Sequence, residues 1–344
     1  MGADSKRTVV VTGASAGVGR AVALAFARHG WRVALIARSP AGLESAKREL
    51  EGTGAQASVF PADVADANAM FEAARKIVEL WGGIDVWVNN AMVSVFAPIA
   101  ATAPEEFRRV TEVTYLGYVH GALAALAHMQ PRNAGTIVQV GSALSYRAIP
   151  LQAPYCAAKF AVRGFTDALR SELRHDRSGV RITMVQLPAV NTPQFDWSRN
   201  KMGFRAQPVP PIHQPEAVGE AIYRAALAAP RERWLGWSSA KVILGQILAP
   251  GLLDRFLASK GYTGQHTSEP QPPNQPGNLF APAAHRHATH GRFDDRAKGS
   301  VAEVDPAMLR GVAAFAGAAV ALLLMWRLSS SRVSSQRDLR CAAD

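Results

Sequence analysis

The stretch Thr12-Gly13-Ala14-Ser15-Ala16-Gly17-Val18-Gly19 decides the fold of this chain. It follows the apolar run Thr8–Thr12 and leads into an alanine-rich helical stretch. A phosphate-binding turn needs a strand that ends sharply and a helix whose free N–H groups face the anion. Gly13 permits the tight turn, Gly17 lets the backbone approach a pyrophosphate, and Gly19 lets the helix pack closely on the sheet. The stretch therefore predicts a dinucleotide site, with a purely structural turn as the alternative.

Short β-branched runs alternate with alanine-rich stretches from Thr8 to about Arg181. Strands are predicted at Thr8–Thr12, Arg32–Ala37, Ala57–Phe60, Ile84–Asn89, Thr136–Gly141 and Arg181–Gln186. Helices are predicted at Arg20–His29, Pro40–Leu50, Ala67–Trp81, Pro104–Met129, Pro154–Arg174 and Pro215–Ala229. Several strands are apolar throughout, as strands buried on both faces must be. Strand and helix in strict turn predict an α/β fold with a doubly wound parallel sheet, the Rossmann fold.

The composition changes after residue 260. Residues 1–260 are predicted to form the α/β domain and residues 261–305 a flexible linker, within which Thr267–Pro282 is rich in Pro, Gln and Asn. His285, His287 and His290 lie in that linker and could bind a metal, but an exposed tract without metal is the favoured interpretation. Residues 306–328 are predicted as an apolar helix and residues 329–344 as a polar tail.

The segment Gly311–Trp326 carries no charge and is bounded by arginines. At a rise of 1.5 Å per residue it spans roughly 24 Å, short of a hydrocarbon core of ~30 Å, and snorkelling arginines could make up the difference. It is interpreted as a C-terminal membrane anchor, with a small-residue helix packed on the domain or on a partner subunit as the alternative. Met1–Arg7 is short and polar and does not resemble a secretory signal, so a cytoplasmic catalytic domain is expected.

The chain has 344 residues, a formal net charge of +11 and two cysteines, Cys156 and Cys341. The arginines are scattered singly and are not interleaved with aromatic residues, so nucleic-acid binding is not expected. Two distant cysteines resemble neither a disulfide framework nor a metal site and suit a reducing compartment.

The end of the second predicted strand, Ala37-Arg38-Ser39, indicates which dinucleotide binds. NAD sites place an acidic residue near this point, on the ribose 2′-hydroxyl. Ala37 offers no carboxylate that would repel a 2′-phosphate, and Arg38 offers a forked donor to it. NADP(H) is therefore favoured over NAD(H), with an ordinary surface arginine as the alternative. Asp63-Val64 follows the third strand, where a side chain can reach the adenine ring, and Asn90-Ala91 ends the fourth.

Three polar side chains form the predicted reaction centre. Tyr155 and Lys159 are four residues apart in a predicted helix and share a face, and Ser142 follows the fifth strand. All three then lie at the carboxyl edge of the sheet. A nearby ammonium lowers the pKa of a phenol, so Tyr155 can exchange a proton with a substrate oxygen while Ser142 hydrogen-bonds that oxygen.

These motifs resemble the short-chain dehydrogenase/reductase family. TGASAGVG, NNA, GS and YCAAK stand where the family's motifs stand, clearly from Thr8 to Thr192 and less distinctly to about residue 260. The resemblance implies that Tyr155 is the acid/base, that Lys159 binds the nicotinamide ribose and that Ser142 polarises the carbonyl. It also implies a homo-oligomer. The predicted cofactor-binding set is Gly13, Ser15, Ala16, Gly17, Val18, Gly19, Arg38, Asp63, Val64, Asn90, Ala91, Tyr155, Lys159, Pro188, Val190 and Thr192.

Three positions depart from the family pattern. Met92 and Ala189 replace glycines, and Met92 is expected to narrow the pocket. Thr114 stands where the family has an asparagine that is thought to hold a water connecting the lysine to solvent. Thr114 is assigned to the catalytic group, as a hydroxyl that supports this relay in part. Neutral drift at a tolerant position is the alternative.

The stretch after the sixth strand is expected to recognise substrate. Its apolar residues Phe195, Trp197, Met202 and Phe204 predict an apolar pocket, or simply a loop packed on the core. Cys156 points away from Tyr155 on the helix and is interpreted as core filling. The predicted function is an NADP(H)-dependent oxidoreductase acting on an alcohol or carbonyl, and the alternative is an NADP(H)-binding sensor or scaffold with little turnover.

Overall fold

A computed structural model describes residues 6–271, 277–284 and 287–309 of the chain. Its fifteen strands, in chain order, are β1 Thr8–Thr12, β2 Arg32–Ala37, β3 Ala57–Pro61, β4 Val86–Asn89, β5 Val95–Phe96, β6 Gly135–Ser142, β7 Val180–Leu187, β8 Ala189–Val190, β9 Arg199–Asn200, β10 Phe204–Ala206, β11 Ile212–His213, β12 Glu232–Leu235, β13 His266–Pro270, β14 Ala297–Lys298 and β15 Glu303–Val304.

The α-helices of the same residues are α1 Gly17–Arg28, α2 Pro40–Glu51, α3 Ala67–Trp81, α4 Pro104–Thr111, α5 Gly117–Met129, α6 Ala153–His175, α7 Gln194–Trp197, α8 Pro215–Ala228, α9 Trp237–Leu248 and α10 Pro250–Lys260. A π-helical turn, Glu112–Leu116, joins α4 to α5, where a single long helix was predicted. Such turns commonly accompany functional sites.

Eight strands form the central sheet in the order β3-β2-β1-β4-β6-β7-β12-β15. Every neighbouring pair is parallel except β12 and β15. The strand order reverses between β1 and β4, and ligands of such sheets bind in the crevice outside the carboxyl ends of the strands at this point. The predicted doubly wound parallel sheet is confirmed.

Both faces of the sheet are covered by helices, which explains why several of its strands are largely apolar. Val9 and Val11 of β1 pack with residues of α1, α2 and α8, whereas Val10 packs with residues of α3, α5 and α6 on the other face. Successive side chains of a strand point to opposite faces, so each valine of β1 is buried against a different helical layer. Val9, Val10 and Val11 are all fully buried.

The part of the chain after residue 260 differs from the predicted flexible linker. The compact unit extends to Val304, and three short strands of this part pair with the α/β domain. Phe293 and Leu279 are buried, and β15 closes the edge of the central sheet. The Pro- and Gln-rich composition predicted a linker here, because composition does not reveal strands of two to five residues that pair with distant partners.

A second unit begins at Asp305, and the structure describes its residues 305–309. The predicted anchor Gly311–Trp326, the tail 329–344 and His285 lie outside the described residues. Within the described ranges no helix has the length and apolar character needed to cross a bilayer.

Candidate active site

The glycine turn joins β1 to α1 with a backbone that requires glycine. Gly13 and Gly17 have positive φ angles of 67° and 55°. A Cβ atom on Gly13 would lie 2.8 Å from the Cα atom of Ala91, and one on Gly19 would press on the carbonyl of Gly13. Side chains at these positions would therefore meet backbone that cannot move aside.

Hydrogen bonds lock this turn to the loop after β4. The Thr12 hydroxyl accepts from the N–H groups of Asn90 at 2.9 Å and Ala91 at 3.1 Å. The side-chain amide of Asn90 donates to the carbonyl of Thr12 at 3.0 Å. These bonds hold the loops after β1 and β4 together on the two sides of the strand-order reversal.

The N-terminus of α1 offers backbone donors to the crevice. The N-cap residue Ala16 supplies no side-chain cap, and the N–H groups of Val18 and Gly19 have no acceptor among the described residues. The N–H of Gly17 donates to the carbonyl of Ala288 at 2.9 Å. Unpaired N–H groups at a helix N-terminus form a ready site for an anion.

Arg38 lies at the end of β2, half-buried beside Ser39. Its guanidinium donates to the carbonyls of Asn278 at 2.5 Å and Leu279 at 3.3 Å. Burial lowers the pKa of Arg38, and the nearby carboxylate of Asp63 opposes that shift. Two hydrogen bonds leave further N–H donors of the guanidinium for an anionic ligand.

Asp63 is already held by protein groups. Its carboxylate pairs with Arg109 and accepts from the N–H of Ala65 at 3.0 Å. The predicted contact of Asp63 with adenine stays a prediction.

The three predicted reaction-centre residues converge at the carboxyl ends of β6 and the start of α6. Ser142 is the last residue of β6, and Tyr155 and Lys159 are one turn apart near the start of α6. Lys159 is 1 % exposed, and its Nζ donates to the phenol oxygen of Tyr118 at 2.8 Å and to the carbonyl of Val140 at 2.7 Å. Its Nζ lies 5.7 Å from the ring centroid of Tyr155.

The expectation that Lys159 lowers the pKa of Tyr155 is not met in this site. Burial raises the pKa of Tyr155, and the hydroxyl of Ser142 opposes the rise in part. Burial also lowers the pKa of Lys159 to about 7. Burial disfavours the charged form of both groups and is the largest cause of both pKa shifts. Tyr155 is therefore a neutral phenol at neutral pH, the form that can give up a proton.

Thr114 lies in the π-helical turn, and its predicted part in a lysine relay stays a prediction. Its hydroxyl donates to the carbonyl of Val93 at 2.9 Å and accepts from the N–H of Val93 at 3.0 Å. A hydroxyl has one hydrogen, and here the Val93 carbonyl takes it. Thr114 thus fixes the loop after β4 and makes no hydrogen bond to Lys159.

Sequence reasoning missed Tyr118, whose hydroxyl contacts Lys159 directly. Tyr118 is 1 % exposed, and its hydroxyl donates to the carbonyl of Val140 at 2.9 Å. Burial raises its pKa well above the ordinary value. The available signal was spacing, because Tyr118 lies one helical turn after Thr114, the position already singled out.

One cavity of about 850 Å³ connects these features. Its wall includes every residue of the predicted cofactor-binding set, together with Ser142, Met92 and Ala189, whereas Thr114 is not part of it. The contact of these residues with a cofactor stays a prediction. Because they share one cavity, the fold brings together residues that are far apart in the chain. The most distant pair of the set, Gly13 and Thr192, is separated by 179 positions.

Much of the cavity wall is apolar. Phe195 and Trp197 line the cavity as predicted, whereas Met202 and Phe204 do not. Phe204 instead stacks on the ring of His266 with 5.0 Å between centroids. Cys156 is buried, and burial raises the pKa of its thiol to about 11, which suits core filling better than nucleophilic chemistry.

The described histidines of residues 261–305 have separate partners. The Nε2 atom of His287 lies 3.0 Å from the Ser39 hydroxyl, and His290 lies between Glu216 and Asp294. Among the residues that the structure describes, no group of three or more His, Cys, Asp or Glu side chains could hold a metal ion.

A family model described as short chain dehydrogenase matches residues 7–202. This is more than half of the chain, so the chain belongs to the short-chain dehydrogenase family of oxidoreductases. The resemblance indicated by the glycine turn and the YCAAK motif is confirmed.

Relatives cover most of the chain. An uncharacterized oxidoreductase, YxnA, of Bacillus subtilis is 30% identical over 280 residues, which are 80% of this chain and 78% of the relative. Estradiol 17-beta-dehydrogenase 11 of Mus musculus is 31% identical over 250 residues, 72% of this chain and 80% of the relative.

Two solved structures resemble the fold. An alcohol dehydrogenase from the archaeon Thermococcus sibiricus, complexed with 5-hydroxy-NADP, superposes with a TM-score of 0.58 at 29% identity and covers 67% of this chain and 95% of that one. A metagenomic short-chain oxidoreductase in complex with NADP superposes with a TM-score of 0.54 at 25% identity and covers 64% of this chain and 90% of that one.

Proposed function

We propose that this chain is an NADP(H)-dependent oxidoreductase that acts on an alcohol or carbonyl group of an apolar substrate. The observation that carries the proposal is the position of Ser142, Tyr155 and Lys159 on the wall of the cavity that begins at the glycine turn. One cavity thus offers a dinucleotide site at one end and an acid–base group at the other.

The residues of the glycine-turn end fit NADP(H). The turn leaves no room for side chains, and the N–H groups of Val18 and Gly19 are available to a pyrophosphate. At the end of β2, Ala37 brings no carboxylate, and Arg38 keeps donors for a 2′-phosphate. Two structural neighbours were solved with NADP or its 5-hydroxy derivative, which supports the same choice.

When bound, NADP(H) supplies or accepts the hydride. In the reductive direction Tyr155 gives its phenol proton to the substrate oxygen, and the Lys159 ammonium steadies the phenolate that remains. Ser142 accepts from the N–H of Leu144 at 3.1 Å, and its own hydrogen, which faces the Tyr155 phenol, can be donated to the same substrate oxygen. In the oxidative direction the proton returns to Tyr155.

The lining of the cavity supports an apolar substrate. Its wall contains many aliphatic and aromatic side chains, among them Leu144, Ile149, Phe195, Leu253 and Phe256. A ligand that binds there gains mainly from burial of apolar surface, with Ser142 and Tyr155 orienting its one polar group.

We expect Arg38→Ala to weaken NADPH binding by about 10- to 100-fold and to leave NADH binding nearly unchanged. The variant loses one charge-assisted hydrogen bond to a group that only NADPH carries. Titration of both cofactors by nicotinamide fluorescence measures the effect. Arg48→Ala, an exposed arginine of α2, is the matched control. Equal affinities of the wild type for NADPH and NADH would refute the choice of cofactor.

Turnover is tested by following the nicotinamide absorbance band with NADPH and a panel of ketones of increasing apolar size. We expect rates to rise from small polar ketones to bulky apolar ones. A protein that binds NADPH yet consumes none with any ketone, and forms none from NADP⁺ with the matching alcohols, contradicts the proposed activity.

A further inference from the structure

Lys159 is held on two sides by oxygen atoms. Its Nζ donates to the phenol oxygen of Tyr118 at 2.8 Å and to the carbonyl of Val140 at 2.7 Å. The Tyr118 hydroxyl donates its own hydrogen to the same carbonyl at 2.9 Å.

Thr114 stands where the family has asparagine, and it makes no hydrogen bond to the Lys159 ammonium. The hydroxyl of Thr114 is used by both backbone groups of Val93. Among the described residues no carboxylate pairs with Lys159, and the titratable side chains found next to it are Tyr118 from α5 and Tyr155 from α6.

We propose that Tyr118 is a positioning residue for the reaction centre, which fixes Lys159 between its own phenol oxygen and the Val140 carbonyl. Two of the three ammonium hydrogens then bond to these two oxygens. The third remains for the side of the cavity where Tyr155 lies. The phenol oxygen also stabilises the charged form of a lysine that burial otherwise neutralises. This inference rests on the proposed function.

The test is Tyr118→Phe, which removes one oxygen and keeps the ring. We expect kcat to fall about tenfold, the worth of one hydrogen bond to a charged group, with KM for the ketone unchanged. We also expect the alkaline decline of kcat to begin about one pH unit lower, because the ammonium loses an acceptor that favours its charged form. Tyr115→Phe, in the adjoining π-helical turn, is the matched control and leaves both quantities unchanged.

A second variant guards against a packing effect of the lost hydroxyl. Site-specific 3,5-difluorotyrosine at position 118 keeps the hydroxyl but makes its oxygen a weaker acceptor, so the alkaline limb moves in the same direction by less. An unchanged pH profile in both variants overturns the assignment, even if kcat falls. If the wild type has no turnover, the proposed function fails instead, and NMR titration of the Lys159 ¹⁵Nζ with and without Tyr118→Phe tests the positioning by itself.

Residues 277–284 and 287–291, named here the covering segments, lie against the glycine turn and the end of β2. Their backbone carbonyls accept from donors around the glycine turn and the end of β2. The Ala288 carbonyl accepts from the N–H of Gly17 at 2.9 Å, and the His287 carbonyl accepts from Arg20 at 2.7 Å. The carbonyls of Asn278 and Leu279 accept from Arg38.

The covering segments approach the domain so closely that glycine is needed at the contacts. A Cβ atom on Gly42 of α2 would lie 2.5 Å from the Nδ1 atom of His287. A Cβ atom on Gly291 would lie 2.6 Å from the carbonyl oxygen of Thr192, and one on Gly277 would lie 2.7 Å from the backbone nitrogen of Arg199. Asn278, Pro282, Ala283 and His287 form part of the cavity wall.

We infer that the covering segments close the adenosine end of the cofactor site, so that NADP(H) leaves only when they lift. They contact the glycine turn and Arg38 directly through the backbone carbonyls of Ala288, Asn278 and Leu279, and Asn278, Pro282, Ala283 and His287 also line the cavity. A dinucleotide bound in the cavity would therefore lie against these segments. This inference also rests on the proposed cofactor.

Gly42→Ala tests the inference by pressing a methyl group against His287. We expect the NADPH dissociation rate, measured by stopped-flow fluorescence, to rise at least fivefold. Gly164→Ala is the matched control, because Gly164 is also helical and a Cβ atom there meets nothing within 4 Å. It should leave the dissociation rate unchanged. His287→Ala, which removes the ring without crowding α2, serves as a second variant and is expected to act in the same direction.

Unchanged dissociation rates in Gly42→Ala and His287→Ala overturn the inference. Faster NADPH association with an unchanged dissociation rate also overturns it, since that result means that the segments compete with the cofactor. If NADPH does not bind the wild type at all, the choice of cofactor fails before the covering segments are tested.

Discussion

Replacement of Tyr155 by phenylalanine is expected to reduce kcat by about 10³-fold while NADPH binds as tightly as it does to the wild type. The variant keeps the ring that lines the cavity and removes the only proton that Tyr155 can exchange with the substrate oxygen. General acid–base groups are worth about 10²- to 10⁴-fold in rate, which sets the size of the expected loss. Steady-state kinetics together with NADPH titration give both quantities.

The same variant separates an enzyme from a sensor or scaffold. Tyr115→Phe is a suitable control, since Tyr115 lies outside the cavity. If Tyr155→Phe preserves the biological activity of the chain with cofactor still bound, Tyr155 is not the acid–base group, and the binding-module alternative is favoured.

Replacement of Lys159 by methionine is expected to abolish most turnover, by about 10²-fold or more. The variant lacks the ammonium that steadies the phenolate of Tyr155. It retains the hydrogen bond from the Tyr118 hydroxyl to the Val140 carbonyl, so the buried oxygens stay satisfied. Kinetics at saturating NADPH and ketone measure the loss.

The cofactor-free form of the same variant is expected to be more stable than the wild type, by about 2 kcal/mol at pH 7. Burial lowers the pKa of Lys159 from 10.5 to about 7 in the folded state. Between these values the unfolded chain binds more protons, so the stability of the wild type rises as the pH rises from about 7 to about 10.5. The advantage of Lys159→Met is therefore largest at or below pH 7 and vanishes toward pH 10.5.

Urea unfolding across this pH range checks the prediction. Two results would contradict it: a gain in unfolding free energy of Lys159→Met over the wild type that grows with pH, or a variant less stable than the wild type at pH 7. Either means that the folded state does not disfavour the Lys159 ammonium.

The first 190 residues could be interpreted from local patterns. The boundaries of β1 and α3 match their predictions to the residue, and the glycine turn lies where a strand ends and a helix begins. These features are encoded locally, because a strand buried on both faces must be apolar and a tight turn must contain glycine. The reaction-centre residues follow from helical spacing and from the meeting of parallel strands at one edge.

Other features depend on contacts between distant residues and were not predictable. The link between Tyr118 and Lys159 joins residues 41 positions apart, and the spacing of Tyr118 from Thr114 indicates a shared helix face but not this contact. The pKa values of Tyr155 and Lys159 depend on how completely the folded chain excludes water, which spacing does not reveal. The covering segments contact donors about 240 to 270 positions earlier in the chain.

The most direct test of the account uses NADPH deuterated at both hydrogens of nicotinamide C4, with an apolar ketone, followed by mass spectrometry of the alcohol. We predict that the wild-type alcohol carries one deuterium on its carbinol carbon and that Tyr155→Phe forms almost none of it. An alcohol without deuterium, or equal label transfer by the two proteins, would contradict hydride transfer assisted by Tyr155.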